Sequence, residues 1–178
     1  AIVVYGSVRV SAGTLTADIN SGITSRGNGT LFMDGGIVTI RQFRTSVFGP
    51  TNQGGIVMTG GILNITGETN GGISNTYYPL NLTYSGNVFT VSGGTLTLSG
   101  ANVKGGLFIN SDPENINVSG GTFNFISNTT NTFLISSRAG FYNLDLSKAS
   151  ASGGDFRVGT GQSGPGGNDE TVPDLPLE

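Results

Sequence analysis

Phe89-Thr-Val-Ser-Gly-Gly-Thr-Leu-Thr-Leu98 decides the fold. On both sides of Gly93-Gly94 apolar and small polar residues alternate, the period of a strand with one buried face. The Gly pair between them permits positive φ and close backbone approach, as a bend requires. The phrase recurs as Val8-Arg-Val-Ser-Ala-Gly-Thr-Leu-Thr16, Leu31-Phe-Met-Asp-Gly-Gly-Ile-Val-Thr-Ile40, Ile56-Val-Met-Thr-Gly-Gly-Ile-Leu-Asn-Ile65 and Ile116-Asn-Val-Ser-Gly-Gly-Thr-Phe-Asn-Phe125. A looser sixth copy runs from Ile135 to Leu144 with Ala139-Gly140 at its corner, and Ser152-Gly-Gly-Asp-Phe-Arg-Val158 reads as a partial seventh.

Recurrence at this scale is the mark of a solenoid, in which each copy is one coil. From Gly13 through Gly36, Gly61, Gly94, Gly121 and Gly140 the intervals are 23, 25, 33, 27 and 19 residues. Unequal intervals exclude fixed-length repeats and place a loop of variable length on one side of each coil. The longest insertion, Gly67 to Asn87, is the expected protruding loop. Coils stacked ~4.8 Å apart set equivalent residues above one another. Leu15, Val38, Leu63, Leu96, Phe123 and Tyr142 then form one inward file. Ile40, Ile65, Leu98, Phe125 and Leu144 form a second, and Val10, Met33, Met58, Val91 and Val118 a third. The outward file Thr16, Thr39, Asn64, Thr97, Asn124 and Asn143 is wholly polar, as alternation demands. Ser11, Asp34, Thr59, Ser92 and Ser119 precede the Gly pairs as corner-capping side chains.

Composition agrees and narrows the chemistry. The chain has 178 residues, 31 of them Gly, and lacks Cys, His and Trp. Histidine- and cysteine-based nucleophilic triads are therefore excluded, as are zinc, haem and iron–sulfur ligation through these residues, and no disulfide can staple the fold. Eight basic against eleven acidic residues, with a net charge of -3, give no footprint for nucleic acid. No apolar run approaches the ~18 residues that cross a bilayer, so membrane insertion is not expected. Glycine interrupts every window long enough for a helical stripe. Residues 1–158 read as the solenoid and 159–178 as an acidic linker or tail rich in Gly and Pro.

Ser92-Gly-Gly-Thr-Leu-Thr-Leu98, Ser119-Gly-Gly-Thr-Phe-Asn-Phe125 and Ala139-Gly-Phe-Tyr-Asn-Leu-Asp-Leu146 resemble repeat stretches of large bacterial surface adhesins, both Bacteroidetes-type cell-surface proteins and autotransporter passenger domains. The resemblance covers roughly residues 5 to 158. It implies a single-stranded right-handed parallel β-helix, here of about six coils, in an extracellular, cell-surface location, with a role as stalk, spacer or adhesive segment. It carries no catalytic motif and no cofactor. The alternative architecture is a β-sandwich filament subunit completed by a donated strand, with Gly pairs in hairpins between antiparallel strands. Polysaccharide binding or cleavage is the alternative function.

Candidate sites are few. Tyr77 and Tyr78, with Tyr84 and Phe48 nearby, could form a sugar-stacking platform, or fold back over apolar coil edges. Asp112 and Glu114 are the weak metal or catalytic candidates, against a turn set by Asp112-Pro113. A groove acting on polysaccharide requires Asp34, Arg41, Asp112, Glu114 and Asp145 to converge. Asp145 and Asp155 sit where they could approach each other, and Arg41 and Arg44 make a basic spot beside Asp34. Thr14-Leu15-Thr16 and Thr95-Leu96-Thr97 are similar to the ice-binding face of some solenoids, though Ile37, Ile62, Asn64 and Asn124 interrupt the array. Asn28, Asn64, Asn81, Asn117 and Asn128 head Asn-x-Ser/Thr acceptors, two of them within strands. Uncapped coil ends imply neighbouring copies or the rest of a longer chain as partners, with carbohydrate a further candidate. The strand Ala1 to Tyr5 is expected to pair with another chain.

Overall fold

A computed structural model describes residues 2–17, 22–46, 53–67, 78–100, 105–128, 133–149 and 155–158. They form a parallel β-solenoid of about five turns, without α-helix. A seven-stranded sheet stacks β1 (Ile2–Val4), β4 (Ile23–Arg26), β6 (Phe43–Ser46), β8 (Leu80–Leu82), β11 (Leu107–Ile109), β14 (Phe133–Ser137) and β16 (Phe156–Val158). A nine-stranded sheet starts with β2 (Ser7–Val10) and β3 (Thr14–Thr16), both on β5 (Thr30–Ile40), which lies on β7 (Gly55–Ile65). It continues through β9 (Val88–Val91) with β10 (Thr95–Ser99) and β12 (Ile116–Val118) with β13 (Thr122–Ser127), and closes on β15 (Asn143–Lys148). Every pairing among the described strands is parallel, which overturns the antiparallel sandwich alternative. β1 belongs to this stack, pairing with β4.

Three files fall where the phrase puts them. Val10, Met33, Met58, Val91 and Val118 are partners in successive layers. So are Leu15, Val38, Leu63, Leu96 and Phe123, and Ile40, Ile65, Leu98 and Phe125. Most are fully buried, and burying each large side chain stabilises the fold by roughly 1.5–3 kcal/mol. Phe125 stacks on Phe133 at 5.8 Å and Phe133 meets Phe156 at 5.0 Å, so aromatic contacts join the two sheets through the core.

The Gly pair acts through two separate constraints. Its second member has positive φ in five layers, from +69° at Gly36 to +87° at Gly121. Its first member is held to glycine by the layer before it. A Cβ on Gly35, Gly60, Gly93 or Gly120 would stand 2.3–2.5 Å from the carbonyl oxygen of Ser11, Asp34, Thr59 or Ser92 respectively.

The sixth copy departs from expectation by two residues. Phe123 is partnered by Leu144 and Phe125 by Leu146, and Tyr142 is 64% exposed rather than inward. A two-residue slip keeps the alternation, so the pattern alone does not set the register. Phe141 does: its ring packs edge-on against Phe123 at 5.0 Å and Phe125 at 5.2 Å, plugging the interior. The expected long loop is also shorter than Gly67 to Asn87. Leu80–Leu82 is strand β8, and Tyr78 and Asn87 are buried. The tail 159–178 lies outside the described residues.

Candidate functional site

Connections from the nine-stranded to the seven-stranded sheet differ most in length, from the two residues 41–42 between β5 and β6 to the stretch 66–79 between β7 and β8. Tyr78 ends that stretch, its ring stacked on Phe108 at 5.4 Å and 19°. Phe108 points away from the solenoid interior, and Tyr78 covers it with only 4% of its own surface exposed. Burial pushes the Tyr78 phenol up to about 12. Tyr78 therefore presents no open ring to a sugar: the fold-back alternative is the one realised. Tyr84 is half-buried beside it in sequence, with its backbone N–H donating to Asn87 Oδ1 at 2.9 Å. Tyr77 and Phe48 lie outside the described residues.

Asp112 leads into the 3₁₀ turn Pro113–Asn115, as Asp-Pro chemistry favours, and its carboxylate accepts a hydrogen bond from Arg138 at 3.1 Å. Glu114 points to solvent. Among the described residues no three potential ligands cluster for a metal ion. Asp34 pairs with Arg9 at 2.6 Å and accepts from Ser11 at 3.2 Å, so it bridges the first two layers across the outside rather than capping its own corner. Arg41 is buried and Arg44 donates to Thr24 at 3.2 Å, so neither forms a basic spot on Asp34. Asp34 lies in the second layer, Asp112 beside the fifth and Asp145 in the sixth, each layer ~4.8 Å from the next. These groups are spread along the stack and share no groove.

Asp155 is met by Lys148 at 2.6 Å, and that hydrogen bond and charge hold its carboxyl below the usual range. Past the corner, the outward face over β3, β5, β7, β10, β13 and β15 stays in register, with Ile37 and Ile62 exposed among its threonines and asparagines. Asn64 donates to Thr39 at 3.4 Å along that face. Asn81 is buried and its Oδ1 accepts from Thr83, which leaves no room for a glycan. Asn28, Asn117 and Asn128 are exposed.

A buried polar knot escaped sequence reading. Thr45 Oγ1 donates to Asn87 Oδ1 at 2.9 Å, and Asn87 Nδ2 donates to the Gly54 carbonyl at 2.9 Å. Asn87 stands one residue before β9, where the two preceding coils have Gly29 and Gly54 before Thr30 and Gly55. The change from glycine in the three earlier coils to Asn87 is the signal for it in the sequence.

Both ends of the stack expose apolar groups: Val3 and Tyr5 at the first layer, and Tyr142, Leu144, Leu146 and Val158 at the last. No helix among the described residues is long and apolar enough to cross a membrane. No protein family, curated protein or solved structure matches the chain.

Proposed function

We propose that the chain is a non-enzymatic structural and adhesive segment of an exported, extracellular surface protein or filament, meeting its neighbours at the ends of the stack. One observation carries this reading: beyond the strand ladders, Arg9–Asp34 and Arg138–Asp112 each tie one coil to the next. A load along the axis then meets strand ladders and buried files repeated at each layer, with ion pairs at two of the steps. Pulling the chain between two handles tests it. Stepwise extension, one coil at a time against sustained force, is the expected record. Collapse in a single low-force step would overturn the structural role.

The rival is a polysaccharide-acting protein, with exposed Tyr5 and Tyr142 as its available rings. Incubation with a panel of polysaccharides separates the two. Release of new reducing ends by the purified chain would replace the structural reading, whereas retention without release fits the adhesive one.

A further inference from the structure

Asn28-Gly29 is the one Asn-Gly pair among the described residues, and the Asn28 side chain is exposed at the corner between β4 and β5. Asparagine before glycine is open to attack by its own backbone, because no side chain shields the glycine nitrogen. In that reaction Gly29 N bonds to Asn28 Cγ, the Cγ–Nδ2 bond breaks, and Nδ2 leaves as ammonia with the proton from Gly29 N. Solvent water then opens the succinimide ring at either carbonyl. One product is aspartate at position 28. The other is isoaspartate, whose main chain runs through the former side chain and is longer by one methylene.

The corner holds both ends of the peptide that must move. Gly27, with φ +58°, opens a turn that the Gly29 N–H closes on the Arg26 carbonyl at 3.0 Å. At the other end of the same peptide the Asn28 carbonyl accepts from Thr30 Oγ1 at 3.1 Å. The peptides on either side are tied to neighbouring layers. Gly27 O accepts from the N–H groups of Gln53 at 3.1 Å and Gly54 at 3.0 Å, and Thr30 N donates to Gly6 O at 2.8 Å. Gly29 O accepts from Gly55 N at 3.1 Å and from the buried Ser25 hydroxyl. Gly29 is itself buried, and a Cβ there would run into the Val4 carbonyl oxygen. The attacking nitrogen is thus committed as a donor and cannot turn towards Asn28 Cγ unless these bonds open.

We propose that Asn28 is a modification site gated by the second-layer corner: it is converted to isoaspartate and aspartate in chains whose corner has opened, and is kept as asparagine while the corner is closed. The rate of conversion then follows the population of the open corner. The proposal is independent of the structural role above, and failure of the pulling record would leave it standing.

Site-resolved mass spectrometry tests it, because the other Asn-Gly pair in the sequence, Asn70-Gly71, yields a separate fragment. The full chain is aged in mildly alkaline buffer, either folded or held unfolded in guanidinium chloride, and the loss of asparagine at position 28 is followed. The unfolded chain should lose it at least about tenfold faster. Ser25→Ala removes the hydroxyl that holds the Gly29 carbonyl, and Thr30→Val removes the one that holds the Asn28 carbonyl. Each should raise the folded-chain rate about two- to tenfold and leave the unfolded rate unchanged. Equal rates in folded and unfolded parent chains, no loss at position 28 in the unfolded chain, or folded-chain rates unchanged in both variants would overturn it. Circular dichroism checks that each variant keeps its β signal.

Discussion

The two sheets of the solenoid use the same parallel pairing and bury their outward faces differently. In the nine-stranded sheet β10 and β13 alternate, with Leu96 and Leu98 buried and Thr95, Thr97 and Ser99 half-exposed in β10. In the seven-stranded sheet Leu80–Leu82 and Leu107–Ile109 are buried at every residue. Outward Thr24, Arg44, Asn81, Phe108 and Ser136 form one file there, all under cover except half-exposed Arg44, with Tyr78 over Phe108. A face turned to solvent writes itself into sequence as period two. A sheet covered on both sides does not, because neither face demands polarity.

Outward substitutions sharpen that contrast. Phe108→Ala removes a ring enclosed on the outer face of the seven-stranded sheet and should cost about 3–5 kcal/mol in chemical denaturation. A loss under about 1 kcal/mol would show that this face is open, as the other is. Gly60→Ala drives a methyl against the Asp34 carbonyl in the nine-stranded sheet and should cost about 1–3 kcal/mol, although the residue lies at a half-exposed corner. Thr45→Val leaves Asn87 Oδ1 without its side-chain donor and should cost about 1–2 kcal/mol, measured by the same denaturation series.

Alkali provides a separate probe of the covered face. The Tyr78 phenol is neutral when folded up to about 12, while an unfolded tyrosine ionises near 10, so the unfolded state loses its proton first. Stability should fall as pH rises from about 10 towards 12. Tyr78→Phe should flatten that part of the profile, and an unchanged slope would assign it to other groups. The smallest effect belongs to the solvent side of the nine-stranded sheet. Thr97→Ala should stay within about 0.5 kcal/mol of the parent.

Legibility in the sequence followed the same division. Leu15, Val38, Leu63, Leu96 and Phe123 were readable as one file because each is flanked by residues that must face water. Positive φ at Gly13, Gly36, Gly61, Gly94 and Gly121 was readable because glycine alone is repeated there. The seven-stranded sheet was not, since Leu80-Asn81-Leu82 and Leu107-Phe108-Ile109 share neither period nor a glycine marker. Gly140, the corner the repeat pattern points to, does not set the register of Leu144; packing of Phe141 on Phe123 and Phe125 does. Among the candidate sites, pairing of Asp34 with Arg9 follows only from the layer stagger, which brings residues 25 apart in sequence together. Burial of Tyr78 depends on Phe108, a residue pointing the opposite way from the core files.

The glycine corners carry one more implication, for how such a chain changes length. Met33 and Met58 occupy equivalent points of successive layers, as do Val38 and Leu63. A genetic deletion joining one corner to the next removes a complete circuit and reunites backbones of the same shape. Duplication between the same points adds a circuit. Growth and shrinkage by whole circuits thus preserve every inward file, whereas a gain or loss of a single residue within a strand turns that layer inside out.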